Sequence, residues 1–151
     1  MLLGKKEFGT KVGFTLVEII LVVIILGILA VVVVSVIKPY RQIARARNTR
    51  RRIDIHMIAL GVKSYQAQNG DLPLSITQEP KEICKEHAVD CTGYVDLSVL
   101  LKNEQYLTLI PVDPQDKTFN GTGYEISRTQ YGKITVHSLL AELGETIEIS
   151  R

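Results

Sequence analysis

The sequence predicts an α+β protein in which a long N-terminal helix, transmembrane in its first half, packs on a small antiparallel sheet. Three observations carry this expectation. Residues 14–37 are apolar almost without a break; apolar positions then recur at loose helical spacing to about residue 68; and the C-terminal third holds short strand-like stretches separated by turn residues. The 151 residues leave room for one modest domain plus a membrane segment. Net charge is only +2, so the molecule as a whole is not a polycation, but the charge is unevenly placed.

Residues 14–37 would span roughly 36 Å as a helix, more than the roughly 30 Å of bilayer hydrocarbon. A core helix of a soluble protein shows a polar face, and here the only charge in the run is Glu18. The β-branched residues such as Val31 to Val34 do not oppose a helix, because lipid leaves the backbone only helices or closed barrels. A secretory signal would carry a small-residue cleavage site after the run. Here the run leads instead into Lys38, Pro39, Tyr40 and Arg41. The start is basic (Lys5, Lys6, Lys11), and the better cut site precedes the run, at Gly13, where the missing side chain lets the backbone enter a protease cleft.

The order basic leader, Gly13, Phe14, Thr15, Leu16, Val17, Glu18 and apolar helix resembles the leader junction of type IV pilins and type II secretion pseudopilins over about 25 residues. The resemblance implies a 1–13 leader removed by a prepilin peptidase between Gly13 and Phe14. It also implies N-methylation of Phe14, and residues 14–37 as membrane helix and later filament core. It implies a role for Glu18 as well. A lone carboxylate at depth costs about 2.5–3.5 kcal/mol on insertion scales. Cleavage creates a cation at the Phe14 amine, which methylation leaves charged. Glu18 of one subunit can then pair with the Phe14 amine of a neighbour, setting axial register more than adding stability. Before assembly Glu18 can snorkel at the headgroup edge.

Residues 38–52 read KPYRQIARARNTRRR, with Arg41, Arg45, Arg47, Arg50, Arg51 and Arg52 and no acid before Asp54. Pro39 predicts a kink in one helix running from about residue 14 to 68, roughly 80 Å, ended by Asn69-Gly70-Asp71-Leu72-Pro73. Counting Lys and Arg alone would keep this basic flank in the cytoplasm. The resemblance requires the reverse, with residues 38–68 as the exported half of the helix and 69–151 as the head. Three uses of the arginines compete: a solvated face touching anionic headgroups, pairing with acids of neighbouring subunits, and phosphate contacts to DNA. No interleaved aromatics or DNA-binding module supports the last.

In the head, a short helix is expected over 97–103 with Asp96 as N-cap, and strands over 123–127, 131–137 and 146–149. Residues 139–143 are expected to form a brief helical turn. Tyr124, Ile126, Ile134 and Val136 should face the helix. Cys84 and Cys91 are spaced for neither a redox CxxC nor zinc, and a disulfide is the favoured reading, contributing about 2.5 kcal/mol by loop entropy. Residues 113–121 form an oxygen-rich loop. By resemblance to major pseudopilins, which bind calcium near an equivalent loop, Asp113 and Asp116 are weak calcium candidates, less favoured than a plain turn because Trp and the second Pro of that pattern are missing. His56, His87 and His137 show no metal or catalytic spacing, and nothing suggests an enzyme.

The expectation is a structural subunit of a type IV pilus-like filament. It waits as a single-pass protein of the bacterial inner or plasma membrane and then joins an extracellular or periplasmic filament of identical subunits. Its partners would be membrane lipid, the peptidase, a platform protein and an assembly ATPase. The alternatives are a major pseudopilin of type II secretion, a single-pass anchored binding protein that never polymerises, and a tethered nucleic-acid binder.

Overall fold

The computed structural model describes residues 13–151. The expected leader, with Lys5, Lys6 and Lys11, otherwise lies outside the described residues. The expected single helix is two: α1 over Leu16–Ile37 and α2 over Pro39–Asn69. Between them Lys38 takes a left-handed conformation, φ 46°. Proline explains the break. It has no N–H to donate, and its ring disfavours helical geometry in the preceding residue. The chain accordingly divides into two compact units, one ending at Pro39 and one over Tyr40–Arg151. Residues 40–68 fall in the same compact unit as the head.

α1 has 22 residues, about 33 Å, and is long and apolar enough to cross a membrane. Within its unit the apolar side chains of residues 16–36 find no cover; Ile20, Leu21, Val23, Leu26 and Val34 are all at least half exposed. Thr15 caps its start, the hydroxyl accepting the Glu18 N–H at 3.2 Å. The hydroxyl of Ser35 donates to the Val31 carbonyl at 2.9 Å, so this polar group is satisfied within the helix.

α2 buries a stripe at helical spacing: Ala44, Asn48, Arg51, Ile55, Ile58 and Val62. Its lower half is apolar and meets Tyr124, Ile126, Ile134 and Val136, all fully buried as expected. Each such aliphatic side chain contributes roughly 1.5–3 kcal/mol by burial. Gly61 lies on the buried side under Leu107; a Cβ there would sit 2.6 Å from Leu107 Cγ.

The sheet has four antiparallel strands in the order β1 (Lys81–Cys84), β2 (Gly121–Arg128), β3 (Ile134–Ser138), β4 (Glu148–Ser150). Their register includes Ile126 opposite Val136 and Val136 opposite Ile149. β1 was not expected: its four residues alternate too briefly to stand out. β3 begins three residues later than expected, because Thr129 and Gly132 close a turn, with the Thr129 N–H donating to the Lys133 carbonyl at 2.7 Å. The expected 97–103 helix is two 3₁₀ turns, Ser98–Leu100 and Lys102–Glu104, and within the second Asn103 leaves helical geometry at φ 56°. The N-cap of the first turn is Leu97 and not the expected Asp96, because the turn starts one residue later; Asp96 accepts the Ser98 N–H at 2.8 Å from the position before it. The expected helical turn at 139–143 is a pair of simple turns, Leu143 lying at φ 61°.

Candidate functional site

Two places in the chain concentrate unusual chemistry, one in each unit. In the first, Gly13 and Phe14 precede α1 outside any helix or strand, Phe14 is 78% exposed, and Glu18 stands exposed in the first turn. Thr15-Leu16-Val17-Glu18 has the spacing of a capping box. The Thr15 hydroxyl already satisfies the orphan N–H at Glu18, so starting the helix does not depend on the Glu18 carboxylate. Among the described residues Glu18 has no ion-pair partner. The arrangement can present a carboxylate, favoured by the positive end of the helix dipole, to a cation from outside.

The second place is where the basic stretch of α2 enters the head. Arg51 is fully buried, which departs from the reading of a solvated basic face. Its Nε and one terminal nitrogen donate to the two Asp113 oxygens at 2.6 and 3.0 Å. The same guanidinium donates to Asn48 Oδ1 at 2.8 Å, to Glu142 Oε2 at 2.9 Å and to Gln115 Oε1 at 2.7 Å. Burial opposes its charge, but the bonds to Asp113 and Glu142 outweigh that and hold its pKa above the ordinary arginine value. Arg47 adds a fork onto Glu142, at 2.6 and 2.5 Å. The bond from Arg47 draws the Glu142 carboxyl down to about 2; partial burial opposes this, and Arg51 adds to it. Asn48 clamps the Glu142 backbone, donating to its carbonyl at 2.8 Å and accepting its N–H at 3.0 Å. Gly123 makes room for the pair: it sits at φ +81°, and a Cβ there would fall 2.8 Å from Asp113 Cβ.

A second buried acid lies deeper on α2. Tyr124 Oη donates to Asp54 Oδ2 at 2.8 Å. Burial, then this carboxylate, push the tyrosine hydroxyl well above its usual range. Arg50 Nε is 3.0 Å from Asp54 Oδ1 but misaligned for a hydrogen bond, so it balances the charge without satisfying that oxygen. Arg52 pairs with Glu145 at the surface. Four of the six arginines are therefore committed within the chain. Arg41 and Arg45 are exposed and have no carboxylate partner among the described residues.

Cys84 and Cys91 form the disulfide, with 5.7 Å between Cα atoms. The two calcium candidates are separately engaged. Asp113 holds Arg51, and Asp116 Oδ2 lies 2.6 Å from Lys85 Nζ, which also donates to the Thr118 carbonyl. Burial raises Asp116, but Lys85 and Thr118 outweigh it and its pKa falls below the ordinary value. Both carboxylates thus already face an internal cation, which leaves little for a metal to gain. Among the described residues no three His, Cys, Asp or Glu side chains gather to hold one. Sequence reasoning missed Asn48, Gln115, Glu142 and Lys85. For Asn48 a signal was present: with Arg51 it continues the helical stripe of Ile55, Ile58 and Val62. Comparison with protein-family models, curated proteins and solved structures found no match to this chain.

Proposed function

We propose that the protein is a structural subunit of a type IV pilin-like filament. It would be held in the membrane by α1, cut between Gly13 and Phe14, methylated at the new amine and assembled through the helix. The observation that carries this reading is an apolar helix with no cover in its own unit and one charge, Glu18, at its start. An anchor needs only the apolar run; a carboxylate within it adds insertion cost and no anchoring. Pairing with a Phe14 amine of a neighbouring subunit gives that acid a purpose. Exposed Ile53, Met57 and Leu60, at one face of α2, extend the apolar surface available to neighbours. A peptidase, a platform protein and an ATPase would supply the chemistry and work of assembly.

Intact mass of the protein from cells tests the processing. Loss of the first thirteen residues and gain of a methyl are expected, and Gly13→Arg should block both and abolish filaments. A simple anchor would be indifferent to Gly13→Arg. Normal filaments from Glu18→Ala would refute the role given to the acid.

A further inference from the structure

We infer that Arg41 and Arg45 form a binding site for the phosphate of anionic phospholipid headgroups. This rests on the reading of α1 as a membrane span, and not on filament assembly. Of the six arginines that begin α2, these two are exposed and left without a carboxylate partner among the described residues, whereas Arg47, Arg50, Arg51 and Arg52 are each neutralised within the chain. They are one helical turn apart and share a face. No Asp or Glu occurs between Glu18 and Asp54, so nothing nearby in sequence competes for them.

Chain length brings both arginines to the surface of the bilayer. From Ile37, the last residue of α1, two extended residues and then helical rise put Arg41 at most about 10 Å away and Arg45 about 16 Å. The headgroup layer begins where the hydrocarbon ends. Helical Cα–Cβ bonds tilt toward the helix N-terminus, which for α2 is the end joined to the span. Two long side chains therefore lean toward the end of α2 that follows the span, with stems long enough to snorkel. Tyr40, 67% exposed, and Ile43, 55% exposed, supply the amphipathic and apolar contacts suited to the same depth. The ligand class follows from the guanidinium fork, which matches phosphate oxygens bidentately. A net negative headgroup is preferred because two unbalanced cations converge on it.

The test uses the full-length protein purified in a neutral detergent, mixed with equal amounts of phosphatidylglycerol and phosphatidylcholine of the same chains, and analysed by native mass spectrometry. Wild-type protein should retain phosphatidylglycerol roughly 10- to 30-fold over phosphatidylcholine, from about two near-surface cations. The Arg41→Gln/Arg45→Gln variant should lose most of that preference. Arg41→Lys/Arg45→Lys should keep part of it, since charge remains and the fork is lost. A Lys117→Gln/Lys133→Gln variant, with the same loss of charge on the head, should behave as wild type. Equal retention of the two lipids by wild type overturns the inference, as does an unchanged preference in the double glutamine variant or an equal loss in the head variant. DNA binding lost in the double glutamine variant while lipid preference persists overturns it in favour of a nucleic-acid site. Retention of the protein in carbonate-washed membranes reports on the span separately.

Discussion

Replacing Asp113 by Asn should destabilise the head by about 3 kcal/mol. Asp113 is 2% exposed and Arg51 is fully buried. Two short bonds join them, and Asp113 Oδ1 also accepts the Gln115 N–H at 2.8 Å. Stranding one member of a buried pair costs about 3–5 kcal/mol. The lower end applies because Glu142, still 22% exposed, remains 2.9 Å from Arg51 and compensates in part. Asn keeps the shape of Asp, so the loss is one of charge and not of packing. Urea unfolding of the full chain in neutral detergent measures it, followed by near-ultraviolet circular dichroism, to which buried Tyr124 contributes. Arg52→Ala provides the contrast. Its pair with Glu145 has side chains 57% and 37% exposed, and its loss should cost under about 1 kcal/mol. Converting both buried partners to apolar residues, Arg51→Met with Asp113→Leu, should cost less than the sum of the single changes by at least about 1 kcal/mol. A cost below about 1 kcal/mol for Asp113→Asn, or simple additivity in the double variant, would refute the account of a buried, mutually dependent pair.

Two further outcomes follow from the same network. A carboxyl whose folded pKa lies below its unfolded one stabilises the fold when ionised, so the Glu142 contribution is present above about pH 4.5 and lost as pH falls to about 2. The stability gap between wild type and Glu142→Gln, about 1–2 kcal/mol after solvent screening, should therefore shrink over that window and vanish only below it. Because Asp113 and Asp116 each face an internal cation, 10 mM calcium should leave the melting temperature unchanged; a rise of about 5 °C, as a millimolar site would give, would show that calcium displaces Lys85 or Arg51.

What the sequence discloses depends on the range of the interactions involved. The apolar run that becomes α1 is legible because it is a local signal, although the expected helix continues past residue 38, where the chain breaks. Pro39 marks the place of the break at Lys38, expected as a kink, and the Cys84–Cys91 bridge is also short-range. The core residues of β2 and β3 follow from alternation, but β1 is too short to alternate. The fate of the arginines was not legible in the same way. A run of six cations followed by a single acid, Asp54, reads as a solvated patch; Asp54 serves Arg50, and the partners of Arg47, Arg51 and Arg52 lie 62 to 95 residues further on. Only spacing hints otherwise: Asn48 and Arg51 fall on the buried face of α2, where a polar side chain has to find a partner or be paid for in desolvation.

That separation has a consequence for the order in which the molecule matures. A chain made from its N-terminus at about 5–20 residues per second completes Arg51 about 3–12 s before Asp113, and waits longer still for Glu142. Throughout that interval Arg47 and Arg51 lack the carboxylates that hold them in the finished head, while Arg50 already has Asp54 four residues on. Closure of the head is therefore a late, C-terminally triggered event, and truncation before residue 142 should leave a chain that keeps α1 but never closes its head.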